Sequence, residues 1–131
     1  MDNEMHKAKK HGLSVVLNFV ISNEDIDDIM SAALDGGITY WCRKAEVVGE
    51  YRGEYASEQI SWGGSLKLYD MESEDVWELT FEKFMTGLRL WIEEERPYMV
   101  IEGIKLDVSS IDAPAADAII QYALFNDIIF G

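Results

Sequence analysis

The sequence predicts an α+β fold, three helices packed on one small, mainly antiparallel sheet. Apolar residues recur at helical spacing in three places, over residues 26–34, 81–92 and 115–124. Between them lie short segments rich in aliphatic and aromatic residues, one of which alternates with period two. A chain of 131 residues with 48% hydrophobic content supports one core, and residues 13–131 are expected to form a single globular domain.

Residues 1–12 read as a polar, mobile leader. The run LSVVLNFVI over residues 13–21 is short and aliphatic, and reads as a buried strand. Ser22 offers an N-cap for the first helix, with Glu24 and Asp25 in the turn where the helix dipole favours negative charge. Ile26, Ile29, Met30, Ala33 and Leu34 form its apolar face, and Gly36-Gly37 supplies a stop. Residues 38–42, with Tyr40 and Trp41, read as extended. Glycines at 49 and 53 argue against one continuous helix across 43–64, at about 1 kcal/mol each relative to alanine. A short helix over 57–62, ended by Gly63-Gly64, fits that stretch. Residues 65–69 and 76–79 form a hairpin joined by DMESED, with Leu66 and Leu68 alternating with Ser65 and Lys67.

Thr80 caps the second helix, whose apolar stripe is Phe81, Phe84, Met85, Leu88, Trp91 and Ile92. Glu93, Glu94 and Glu95 sit at its C-terminal end, where the dipole disfavours them, and are expected to be solvated or to face a partner. Arg96-Pro97 ends that helix, and a loop or irregular strand containing Asp107 follows. Asp112 and Pro114 are an N-cap and an early helical proline for the third helix. Its Ala115, Ala116, Ile119, Ile120, Ala123 and Leu124 make it densely apolar and central. Residues 128–130 are expected to close the fold as a short strand.

The charge balance narrows function more than any motif does. Twenty-five acidic residues oppose 11 basic ones, for a net charge of −14. Such a surface repels nucleic acid and anionic lipid and attracts basic partners, although solubility alone also accounts for it. Cys42 is the single cysteine, so an intrachain disulfide and a cysteine-rich zinc site are excluded, consistent with a reducing cytoplasm. The basic HKAKKHG ahead of the apolar run imitates a signal peptide. Asp2, Glu4, Asn18 and the lack of a small-residue cleavage site argue against one. No segment approaches ~20 apolar residues, so no membrane span is expected.

Catalytic signatures are missing. A Cys42–histidine dyad requires the leader, with His6 and His11, to fold back over the domain, and Cys42 reads more simply as a small core residue. Arg43 and Lys44 beside it are positioned to lower its pKa. Glu24, Asp25, Asp27 and Asp28 are spread around a helix rather than gathered about a calcium-loop glycine. Asp70, Glu72, Glu74 and Asp75 form a solvated turn before they form a cation site. The glycine pairs lack phosphate-loop patterns. No enzyme activity, metal or cofactor is expected.

The stretch GEYRGEYASE remains. Glu46, Glu50, Glu54 and Glu58 recur every fourth residue, interleaved with Tyr51 and Tyr55, and these six are the candidate partner-binding residues. Tyr51, Tyr55 and Trp62 lie outside any amphipathic stripe, where rings either cover a sheet edge or anchor an interface.

At ITYWCRKAEVVGEYRGEYASEQISWGG, and again at ADAIIQYALFNDIIFG, the sequence resembles a family of small, acidic, uncharacterised proteins carried by phages and mobile elements of gut-type bacteria. The resemblance spans residues 21–131 and implies a phage or prophage product in the bacterial cytoplasm. It carries no site residues across. It favours a non-enzymatic inhibitor that blocks a basic nucleic-acid-binding surface, most specifically an anti-CRISPR-like, anti-defence protein that itself contacts neither nucleic acid nor membrane. An immunity protein or antitoxin neutralising a basic toxin, and a phage housekeeping or structural protein, remain the alternatives. Oligomeric state is open.

Overall fold

The computed structural model describes residues 10–14, 16, 18–95 and 108–131. Helices α1 (Asn23–Ala32), α2 (Phe81–Glu95) and α3 (Ala113–Phe125) accompany a three-stranded antiparallel sheet of order β1 (Cys42–Val47), β2 (Leu66–Asp70), β3 (Val76–Leu79). This is a small α+β fold, as the periodicities predict.

Each helix starts where its capping residue dictates. Ser22 accepts from the Asp25 N–H while Asp25 accepts from the Ser22 N–H, a closed capping box. Thr80 Oγ1 accepts from Lys83 N, and Asp112 from Ala115 N, with Pro114 in the first turn of α3. At its C-terminal end α1 widens into a π-turn, Ala33–Gly37, in which the Ile38 N–H reaches back to Ala33 O at 2.9 Å. Helix α3 ends at Asn126, whose φ of 57° is left-handed.

The inner face of the sheet contributes Leu66, Leu68 and Leu79 to a core shared with Ile29 and Met30 of α1, Phe84 and Leu88 of α2, and Ile119 and Ile120 of α3. Helix α3 is central, touching α1, α2 and β3. It meets α2 at Gly87, where a Cβ would lie 2.6 Å from Ala123 N and Ile119 O, so only glycine permits this backbone approach. Across the outer face, Lys67 stands between Glu46 and Glu78 by register, an alternation of charge that suits solvent. A register shift between Cys42 and Lys44 bulges β1 at Arg43, whose Nε donates to Asp70 O.

Four expectations are corrected. Residues 13–21 are not a buried strand. Among the described residues of this run, Leu13, Val16 and Val20 are exposed, only Val20 makes a bridge, and Phe19 and Ile21 pack partly against the core; residues 15 and 17 lie outside the described residues. Residues 38–41 turn instead of extending, because the Trp41 and Cys42 N–H groups both donate to Ile38 O, and the strand begins at Cys42. The expected helix over 57–62 is a shorter, tighter 3-10 turn, Ala56–Glu58, followed by further turns to Gly63. Residues 128–130 form no strand, since the Ile129 and Phe130 N–H groups go to the Gln121 side chain. The hairpin is as expected. Residues 1–9 of the leader, Arg96-Pro97 and Asp107 lie outside the described residues.

Candidate functional site

Residues 48–64, which carry the GEYRGEYASE stretch, lack regular structure beyond one 3-10 turn, yet their backbone is fixed from within. Gln59 is 1% exposed. Its Oε1 accepts from Arg52 N at 2.8 Å, and its Nε2 donates to Arg52 O at 2.7 Å and Tyr55 O at 2.8 Å. One amide thereby satisfies three backbone groups that a loop would otherwise leave to water. Arg52 Nη1 donates to Trp62 O and Gly64 N to Gln59 O, closing the far side. Ile60 is fully buried beneath.

Both Gly-Glu-Tyr units begin with a glycine of left-handed φ. Gly49 has φ 76° and Gly53 φ 75°, left-handed values that favour glycine. A side chain at Gly53 would also collide with the Glu58 carboxylate tucked against it. Helix α1 packs on the 3-10 turn, and Ser61 Oγ donates to Asp27 Oδ1 at 2.6 Å. Asp27 of α1 thereby borders the loop.

The six candidate residues divide into two groups. Glu46 is on β1, ion-paired to Lys44 Nζ at 3.0 Å and accepting from Tyr69 Oη at 2.9 Å. The Lys44 ammonium, then the Tyr69 hydroxyl, hold its carboxyl below the usual range. Glu58 is half-buried and accepts from Glu54 N. These two carboxylates serve the fold. Glu50 and Glu54 are exposed, and their carboxylates take no hydrogen bond or ion pair among the described residues. Tyr51, Tyr55 and Trp62 are 62%, 63% and 60% exposed, three large rings in water on one fixed loop.

Other chemistry-bearing groups are engaged structurally. The Cys42 thiol is buried and donates to Lys44 O; burial pushes its pKa up and outweighs the lowering by Arg43 that the sequence suggested. His11 is exposed. Asp70 accepts from the Glu72 and Ser73 N–H groups and so organises the hairpin turn. Glu93 pairs with Arg89 and Glu95 accepts from Tyr122 Oη, leaving Glu94 as the carboxylate of that trio without a partner among the described residues. Among the described residues no three His, Cys, Asp or Glu side chains converge as a metal site, and no helix is long and apolar enough to cross a membrane.

Sequence reasoning missed a second organised polar centre. Asp117 accepts from Tyr40 Oη and Trp41 Nε1, both at 2.7 Å, and from Gln121 Nε2 at 3.0 Å. Burial, then Asp117, push the Tyr40 hydroxyl pKa up. Gln121 Oε1 takes the Ile129 and Phe130 N–H groups. Phe130 thereby stacks on Trp41 at 4.9 Å, in a cluster with Trp77 and Phe125. The signal for this centre is two polar residues spaced four apart, Asp117 and Gln121, in an otherwise Ala- and Ile-rich helix. No protein-family model matches the sequence, and no curated protein and no solved structure matches the chain.

Proposed function

We propose that the protein is a non-enzymatic, protein-binding inhibitor that docks residues 48–64 on the basic surface of a nucleic-acid-handling protein and so keeps DNA or RNA off it. One observation carries this reading: the loop fastened by Gln59 carries three exposed rings, Tyr51, Tyr55 and Trp62, and the exposed, uncommitted carboxylates of Glu50 and Glu54. Rings of that size are the usual anchors of interfaces. A loop already ordered loses little further entropy on binding. Asp27 of α1 at its border and the net charge of −14 direct it toward a cationic surface, the same surface that duplex DNA with one charge per ~1.7 Å occupies. In its most specific form, drawn from the resemblance to small acidic phage proteins, the target is a host defence nuclease in the bacterial cytoplasm and the protein is anti-CRISPR-like.

The test is capture of basic proteins from a bacterial lysate on immobilised protein at about 50 mM salt, followed by elution with duplex DNA. DNA should displace the captured protein, as should salt near 500 mM, where the Debye length falls to roughly 4 Å. The pair Glu50→Lys and Glu54→Lys should abolish capture with unchanged unfolding temperature. Capture that resists both DNA and the double reversal overturns the reading.

A further inference from the structure

We infer that the rings of Trp41, Trp77 and Phe125, with the Gln121 amide, form a peptide-binding groove that residues 127–131 close from within. Its ligand is a short segment of another protein that carries an aromatic side chain. The groove lies apart from residues 48–64, and the inference does not rest on the docking reading above.

The walls of the groove are arranged without its occupant. Trp41 meets Trp77 and Phe125 edge to face at 5.8 and 6.1 Å, and Trp77 meets Phe125 at 5.0 Å. Asp117 accepts from Trp41 Nε1 at 2.7 Å and from Gln121 Nε2 at 3.0 Å, and neither bond involves the tail. A receptor ordered in advance loses little on binding.

The occupant is attached as a ligand would be. Helix α3 stops at Asn126, and among the described residues no main-chain-to-main-chain hydrogen bond holds residues 127–131. The Ile129 and Phe130 N–H groups both go to Gln121 Oε1, at 2.9 and 2.8 Å, and Gln121 Nε2 donates to Phe130 O at 3.4 Å. Ile128 and Ile129 stay 40% and 55% exposed, whereas Phe130 lies on Trp41 with the ring planes 5° apart. The amide thus reads main chain, whatever the side chains, and the rings read one aromatic group. Main-chain bonds combined with a pocket for one side chain are how short peptides are recognised. A partner segment that presents the same groups competes with the tail on equal chemistry, and a turn at Asn126 and Asp127 lifts the tail without unwinding α3.

Phe130→Ala in the whole chain removes the anchor and keeps the walls. Fluorescence anisotropy of a dye-labelled, end-capped peptide of residues 127–131 should show at least about tenfold tighter binding to this variant than to the wild-type chain. In the latter, a groove open in about one molecule in ten or fewer weakens apparent affinity by that factor. The same peptide with alanine for its phenylalanine should not bind. Equal affinity for the two chains, equal affinity of the two peptides, or no binding to a variant whose urea midpoint stays native overturns the groove. A wild-type dimer that Phe130→Ala dissociates would make the occupant a second copy's segment and overturn closure from within. Should Phe130→Ala unfold, hydrogen exchange in the wild-type chain decides. The Ile129 and Phe130 amides should exchange at least about 100-fold faster than that of Ile120 in α3, and equal rates would make the tail part of the core and overturn the inference.

Discussion

Gln59 and Gln121 are each 1% exposed, and each fastens a stretch of irregular backbone through one side-chain amide, yet the aromatic residues of the two stretches face opposite ways. Around Gln121 the held segment turns Phe130 inward onto Trp41, Trp77 and Phe125. Around Gln59 the held loop buries Ile60 and leaves Tyr51, Tyr55 and Trp62 outside. The amide chemistry is the same, so the neighbours decide the difference. Three rings already line the place that Phe130 fills. At the loop the Glu58 carboxylate, and no ring, lies against Gly53. Apolar area kept in water on a fixed backbone brings no folding stability, which is why the loop and not the tail is the surface proposed to dock on a basic partner.

The largest test of this comparison is Gln121→Leu. The substitution removes the acceptor of two backbone N–H groups and a donor shared by Asp117, Tyr40 and Phe130 O. Losing these bonds while leaving partners unsatisfied should cost about 2–4 kcal/mol in urea unfolding. Trp41 emission should shift as Phe130 leaves its face. A loss below about 1 kcal/mol with unchanged emission would mean the aromatic cluster holds the tail unaided, and the parallel between the two amides would fail.

Neither amide's role was legible in the sequence, and the reason is physical. The three helices and the hairpin announce themselves because burial of one face imposes a period, and Ser22, Thr80 and Asp112 mark starts by local capping. Gln59 acts on backbone seven and four residues back, in a stretch without helix or strand, and Gln121 on backbone eight and nine ahead, so neither imposes a hydrophobic period. Propensity alone misread residues 13–21 and 38–41, where the fate of the N–H groups and the available cover outweighed β-rich composition. In the candidate site, the alternation of acid and ring was visible. The withdrawal of Glu46 into a Lys44 ion pair and of Glu58 under Gly53 was not, because both depend on where β1 and the 3-10 turn end.

Gln59→Leu sharpens the contrast from the other side. Its freed Arg52 and Tyr55 backbone groups lie on exposed residues and can turn to water, so global stability should fall by only about 1–2 kcal/mol. Locally the effect should be larger. The Arg52 amide should lose its protection in hydrogen exchange, and capture of basic proteins at about 50 mM salt should weaken as the loop must be reordered on binding. Persistent protection at Arg52 would show that the glycine turns and the Arg52–Trp62 bond suffice to hold the loop.

Acid offers the finest distinction, because the hairpin turn is fastened by a carboxylate where the other two stretches are fastened by neutral amides. Asp70 accepts from Glu72 N at 3.2 Å and Ser73 N at 2.7 Å. The Ser73 hydroxyl, with those N–H groups, holds its carboxyl below the ordinary aspartate value of about 3.9. A depressed native pKa contributes stability above the unfolded value, and that contribution is lost as pH falls below about 3.9 and through the native pKa. Amide protection factors should therefore fall at Ser73 over this range while those of Arg52 and Phe130, bonded to glutamines that do not titrate, hold. Asp70→Asn keeps an acceptor oxygen and should make Ser73 protection independent of pH. If Arg52 loses protection together with Ser73, the loop is opened by whole-molecule charge repulsion and its rigidity does not reside in Gln59.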